Sequence, residues 1–232
     1  MSSAHTFFIL DAPESAQMSD RATTLARAVM RWWLPLKERK SKKALEDAFE
    51  IIKIETLKSE QRPFKASATI LNIALYLLLA ERDIQSFKIE ALTHPDEWKR
   101  KLCARVILLT IHELNLDRVS GAALRNALEI SGASEELRKE TTQALRALRA
   151  VQEMARKEFG PLRNAVIAHR DPNALLQYQA ICDLDTDKVF RISGEFYAAV
   201  RQFLDMLPKL MSQAGNMPAL LLQWIDAEGR KS

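Results

Sequence analysis

Apolar residues recur every three or four positions along most of the chain, which is the spacing of a helix with one buried face. The clearest case is predicted to begin after Ser134, an N-cap residue followed by two acidic residues. Its near-heptad stripe consists of Leu137, Thr141, Ala144, Leu148, Val151 and Ala155. The pattern predicts a long helix that continues to Gly160-Pro161, where we expect a break.

The same periodicity predicts helices over most of the remaining chain. They cover residues 19–34, 44–57, 63–81, 95–114, 122–130, 162–170, 194–211 and 219–227. Pro35 is expected to end the first helix, and the basic run 37–43 to form an exposed loop. Thr93 is the predicted N-cap of the helix that begins at Pro95. The helix over 63–81 is apolar on nearly all faces, which is typical of a central, buried helix.

Composition excludes a sheet-based fold. The chain has six Gly and eight Pro in 232 residues, about half the usual share of ~12%, whereas a sandwich or barrel needs a turn every ~8–12 residues. An apolar content of 47% is enough for a packed core. We therefore predict an all-α fold, a multi-helix bundle of about eight helices. It forms one domain over residues 1–232, with irregular tails at 1–14 and 229–232.

Charge, cysteines and motifs limit the function further. The net charge of +4 is compatible with an anionic partner. Cys103 and Cys182 are far apart, and the four histidines lack ligand spacing, so we expect neither a metal site nor a cofactor. Phosphate-binding glycine loops are also missing. With no signal peptide and no apolar run of ~20 residues, the expected location is the cytoplasm, away from membranes.

One short segment, residues 161–171, concentrates polar chemistry between two prolines. It holds Arg163, Asn164, His169 and Arg170 within the string LRNAVIAHRD. An imidazole near a helix end titrates near neutral pH and suits proton transfer to or from a ribose hydroxyl. A guanidinium binds phosphate through its planar fork and neutralises developing charge. These are the two groups that metal-free RNA cleavage needs.

The string, with Arg163-Asn164, four residues and then His169, resembles the Arg-x(4–6)-His motif of the HEPN superfamily. It is similar to the form found in HEPN proteins of abortive-infection and toxin–antitoxin systems. The resemblance covers about a dozen residues. It implies a helical bundle, a metal-independent endoribonuclease acting as a toxin or phage-defence effector, an RNA substrate and an antitoxin protein as a further partner. It also implies that Arg163, Asn164 and His169 are catalytic.

Helix geometry adds a condition on this site. At ~100° per residue, Arg163 and His169 point about 120° apart on an ideal helix, and they are separated by ~9 Å along its axis. The two side chains would not share one face. A working site therefore needs either a distorted helix end or a second copy of the motif, which the family's dimeric habit supplies. We predict a homodimer in which the 161–171 segments face each other.

Each assignment has a structural alternative. The alternative role of His169 is to cap the last carbonyls of a helix, and that of Arg163 is to lie on apolar neighbours as a surface residue. Arg170 is either structural or a phosphate contact. The basic residues of 37–43 either guide RNA or form a solvated surface; they are Lys37, Arg39, Lys40, Lys42 and Lys43. The alternative function is a non-catalytic interaction or nucleotide-binding module of HEPN fold.

Overall fold

A computed structural model describes residues 14–62, 64–162 and 172–229. Within these ranges the chain forms helices and no strands, so the all-α prediction is confirmed for the described residues. The eight helices in this part of the chain are Glu14–Glu60 (α1), Lys65–Thr93 (α2), Glu97–His112 (α3), Leu116–Ile130 (α4), Glu135–Leu162 (α5), Ala174–Cys182 (α6), Thr186–Ala214 (α7) and Met217–Gly229 (α8).

The first helix contradicts two predictions. α1 is continuous over 47 residues, so Pro35 lies inside it and the basic run 37–43 is helical rather than a loop. Pro35 removes one backbone hydrogen bond, but α1 lies along α2 on both sides of the proline. Arg31 pairs with Glu90 at 4.0 Å before it, and Glu38 pairs with Lys88 at 3.3 Å after it. Packing against α2 therefore outweighs the local signal to stop.

The second helix is central, as its all-round apolar pattern predicts. α2 contacts α1, α3, α4 and α7. Its fully buried side chains are Ile70, Ile73, Leu77, Leu78 and Ile84. The helix ends at Thr93 rather than near residue 81, because Ile84 and Ala91 continue the buried face. Thr93 is the last residue of α2, and the N-cap of α3 is Asp96, which accepts from the Trp98 amide at 3.0 Å.

The predicted stripe of α5 is confirmed, since all six of its residues are buried. Ser134 caps the helix by accepting from the Leu137 amide at 3.2 Å. The preceding helix, α4, begins at Leu116 and is kinked at Gly121, the residue before the predicted start. Gly132 closes this helix with φ of +65°, a left-handed conformation that suits glycine. These local signals place α5 correctly in the bundle.

The end of α5 and the last three helices differ from prediction in their lengths. α5 runs through Gly160-Pro161 to Leu162 without the expected break. α7 starts at Thr186, earlier than expected, and continues through Pro208 because Leu210 and Ala214 remain buried beyond it. Residues 14 and 229, assigned to tails, belong to α1 and α8; the other tail residues lie outside the described part. Across that part we find no helix with the length and apolar content of a membrane span.

Candidate functional site

The predicted catalytic residues Arg163, Asn164 and His169, together with Arg170, lie outside the described residues. The structure describes the frame on either side of them. α5 ends at Leu162 and α6 begins at Ala174, so residues 163–173 connect two helices. Phe159 is buried in the last turns of α5 and joins this helix to the core. The connection therefore begins at a firmly packed point.

Its other end is fixed by a helix cap. The Asn173 side chain accepts hydrogen bonds from the amides of Leu175 and Leu176, at 3.1 and 3.2 Å. Asn173 has extended backbone geometry, and its side chain satisfies donors that the first turn of a helix leaves free. Because Pro172 cannot donate a backbone hydrogen bond, a helix start just after it is also favoured locally. The motif thus lies between a packed helix end and a capped helix start.

α6 is attached to the beginning of α3. The rings of Trp98 and Tyr178 stack with centroids 6.2 Å apart and an interplanar angle of 24°. The ammonium of Lys101 donates to the backbone carbonyl of Cys182. A hydrogen bond with the Cys182 side chain raises the pKa of the Tyr178 phenol. Through these contacts, α3 lies beside the helix that directly follows the motif.

This junction exposes an aromatic patch, defined here as Trp98, Leu102, Leu175, Leu176 and Tyr178. Each of the five side chains is more than two-fifths exposed, and Tyr178 is 57% exposed. Sequence reasoning missed the patch because α3 and α6 are 60 or more residues apart. The signal that points to the patch in the sequence is the presence of three large side chains, Leu175, Leu176 and Tyr178, shortly after Pro172.

Cations surround the aromatic patch, and most are already engaged. Lys101 pairs with Glu97 at 2.9 Å, and this hydrogen bond and charge lower the pKa of Glu97. Arg100 donates to the carbonyls of His94 and Pro95, at 2.8 and 3.1 Å. The Arg105 guanidinium lies 5.9 Å from the Trp98 ring centroid, within cation–π range. The patch is therefore aromatic at its surface and positive at its edge.

The second group of predicted RNA-binding residues lies on α1. Lys37, Arg39, Lys40, Lys42 and Lys43 are all exposed, and together they cover the solvent side of one helical segment. Lys37 is 4.7 Å from the ring centroid of Trp33. A continuous helix holds these charges in fixed positions, which a loop would not do.

α1 also connects this basic band to the junction of α3 and α6. Arg27 of α1 lies near enough to Glu97 for its charge to lower the pKa of that carboxyl slightly, after the larger effect of Lys101. α1 therefore passes close to the start of α3. Lys37 is ten residues further along, or about 15 Å at 1.5 Å per residue. The basic band therefore begins about 15 Å along α1 from the point where this helix passes α3.

Among the described residues, no group of three or more His, Cys, Asp or Glu side chains is arranged to hold a metal ion. Of the two histidines in the described residues, His94 precedes α3, and His112 is its half-buried last residue. Comparisons of the chain with family models, with curated proteins and with solved structures find no match.

Proposed function

We propose that this chain is a metal-independent endoribonuclease of the HEPN type, acting as a toxin or phage-defence effector. His169 serves as the general acid or base, Arg163 binds the scissile phosphate, and Asn164 orients one of them. Two copies pair so that their motif segments form one cleft. The proposal rests on the LRNAVIAHRD string and on the chemistry of its residues.

The observation that carries the proposal furthest is the position of the motif in the chain. Along the chain, the string is followed directly by the capped start of α6, and Tyr178 of α6 stacks on Trp98 to form an exposed pair of aromatic rings. Unpaired bases stack on exposed aromatic rings with little dependence on sequence. The aromatic patch is suited to hold a base next to a phosphate bound by Arg163, and the α1 band to attract the rest of the strand.

The proposed reaction balances without a metal ion. The ribose 2′-oxygen loses its proton to one imidazole and attacks the adjacent phosphorus. The bond from phosphorus to the 5′-oxygen breaks, and the leaving oxygen takes a proton from an imidazolium, which the partner's copy of the motif supplies. Guanidinium groups neutralise the charge that develops on the phosphate. The products are a 2′,3′-cyclic phosphate and a 5′-hydroxyl.

The test is RNA cleavage in EDTA by the wild-type protein and by the Arg163→Ala and His169→Ala variants. We expect each variant to lose at least about a hundredfold in rate, since acid–base and electrostatic groups contribute factors of that size. Arg156→Ala is the matched control, because Arg156 is an exposed α5 residue whose ion pair among the described residues is with nearby Glu153, at 3.8 Å. Equal cleavage by all four proteins would exclude the nuclease and favour the non-catalytic module.

Dimerisation is tested separately by measuring the mass in solution and the activity at the same concentrations. We expect the cleavage rate per chain to fall as the protein is diluted below the dissociation constant of the dimer. A strictly monomeric protein with full activity would contradict the shared cleft while leaving the roles of Arg163 and His169 open to the first test.

A further inference from the structure

The solvent-facing side of α1 carries an ordered pattern that the packing of the bundle does not use; two of its residues, Lys40 and Lys43, also belong to the basic band of α1. Eight positions follow one another in steps of three and four residues, which is the spacing of a coiled-coil seam. They are Trp33, Leu36, Lys40, Lys43, Asp47, Glu50, Ile54 and Leu57. All eight are exposed, with Leu36, Ile54, Trp33 and Leu57 at 42, 45, 47 and 50%. We call these eight residues the outer face of α1.

The outer face is self-complementary when it is reversed. Read from either end, it runs from two apolar residues to two charged residues, and the charges of its two halves are opposite. In an antiparallel pair centred on residue 45, Lys43 lies opposite Asp47 of the second copy, and Lys40 opposite Glu50. Leu36 then lies opposite Ile54, and Trp33 opposite Leu57. Each contact occurs twice, as a two-fold axis requires.

The charged residues of the centre are available for such contacts. Within the described part of the chain, Lys40, Lys43 and Asp47 make no ion pair, whereas Glu50 pairs only with neighbouring Lys53, at 3.2 Å on an exposed surface. Exposed pairs of this kind are weak and easily exchanged. On the side of α1 that faces α2, Glu38 and Glu46 form separate ion pairs with α2 residues.

We propose that the outer face of α1 binds the outer face of α1 in a second copy of this chain, antiparallel and centred on residue 45. A parallel pair in register would place Lys40 on Lys40 and Asp47 on Asp47. Antiparallel pairing through the more N-terminal apolar residues Leu25 to Leu36 would have Pro35, where helices bend, close to its centre. In the proposed pairing Pro35 lies near the end of the contact, between Trp33 and Leu36, and the segment from Leu36 to Leu57 is uninterrupted.

The size of the contact sets its strength. From Trp33 to Leu57 the outer face is about 36 Å long, on a helix about 10 Å wide. A strip of this size, about 700 Å² over the two copies, is smaller than a standard stable interface and corresponds to a weak association. The resulting association is concentration-dependent, driven by the apolar ends and fixed in register by the charged centre.

This contact is separate from the motif pairing of the proposed nuclease. α1 passes the start of α3 near Arg27, which is 18 residues, or about 27 Å, from the centre of the pair. The centre of the α1 contact therefore lies away from the start of α3.

Site-specific cross-linking tests the register directly. In a Cys182→Ser background, which removes the exposed native thiol, Leu36→Cys and Ile54→Cys proteins are mixed and treated with a short bis-maleimide. We expect cross-linking in the mixture and none in either protein alone, because residue 36 would be about 27 Å from its own copy. Cross-linking of Leu36→Cys with itself, or none in the mixture, would overturn the proposal.

Charge reversal tests the complementarity with the same readout. Lys43→Glu or Asp47→Lys, added to both cysteine proteins, should weaken association about tenfold, because two attractive pairs become repulsive. A mixture in which one protein carries Lys43→Glu and the other Asp47→Lys should cross-link as the parent does. Lys65→Glu, an exposed charge change outside the outer face, is the control. Equal yields in all mixtures would refute the charge pairing, whatever the outcome of the RNA assays.

Discussion

Gln152 provides a stringent test of how α5 is held against the rest of the bundle. Its side chain is buried, and its amide nitrogen donates to the backbone carbonyl of His112 at 3.0 Å and also to that of Leu114. The first carbonyl belongs to the last residue of α3 and the second to the connection that follows it, where the end of a helix leaves acceptors without partners. One side chain on α5 thus satisfies the turn between α3 and α4.

Replacing Gln152 with Leu keeps a side chain of similar volume and removes the donor. Each buried carbonyl left unsatisfied costs about 1–3 kcal/mol, and the gain in apolar surface offsets part of this. We therefore expect the Gln152→Leu protein to lose about 3 kcal/mol in free energy of unfolding. That is a large fraction of the stability of an ordinary domain, which is about 5–15 kcal/mol.

Urea unfolding at fixed protein concentration, followed by helical circular dichroism, measures this difference. Gln143→Leu is the matched control, since Gln143 lies on the exposed side of the same helix, and we expect it to change stability by less than about 0.5 kcal/mol. If the two variants have the same midpoint and slope, Gln152 does not hold the α3–α4 connection.

Three further predictions concern Tyr197, Gly132 and the basic band of α1. Tyr197→Phe should raise stability by about 1 kcal/mol, because the buried hydroxyl has no hydrogen-bond partner in the described part of the chain. Burial, with the nearby charges of Glu81 and Glu38, raises the pKa of Tyr197. Because the unfolded chain releases the phenol proton at a lower pH than the folded chain, wild-type stability should fall as the pH rises above about 10. In denaturant titrations, the Tyr197→Phe protein should lack this part of the pH dependence. Gly132→Ala should lower the free energy of unfolding by about 1–2 kcal/mol, measured by thermal unfolding, because φ is +65° there. No neighbouring atom lies within 4 Å of an added Cβ, so the cost comes from the backbone conformation alone. Lys40→Gln with Arg39→Gln should reduce the slope of log K against log salt by up to about 0.7 per lost phosphate contact when single-stranded RNA binding is measured; an unchanged slope would remove the α1 band from the RNA path.

Positions where sequence signals and packing agree were predicted well. The α5 stripe is buried throughout, and Ser134 and Gly132 mark the boundaries around its start as expected. A cap acts within three residues and a buried stripe repeats along one helix, so both are visible in the local pattern.

The predictions that failed are those in which a local stop signal competes with distant packing. Pro35 and Pro208 both lie inside helices. For Pro35 the competing interactions are ion pairs to α2 residues about 50 or more positions away. Such contacts have no trace in the local sequence, so a rule based on proline alone places the end too early.

The candidate site divides in the same way. The sequence supplies the chemistry of Arg163, Asn164 and His169 and the likeness to the HEPN motif, and both remain predictions to be tested by cleavage. The aromatic patch beside the motif depends on α3 meeting α6, and the fixed positions of the α1 charges depend on α2 holding one long helix.

By itself, the sequence determined that the chain is helical and that its second helix is central, and it predicts catalytic chemistry in one short segment. The scarcity of Gly and Pro and the periodic apolar residues are enough for this, because both act within a few residues. Only the tertiary structure decided where helices end and which distant side chains share a surface. Those outcomes depend on burial against other helices, which is decided by the whole fold and not by the neighbouring residues.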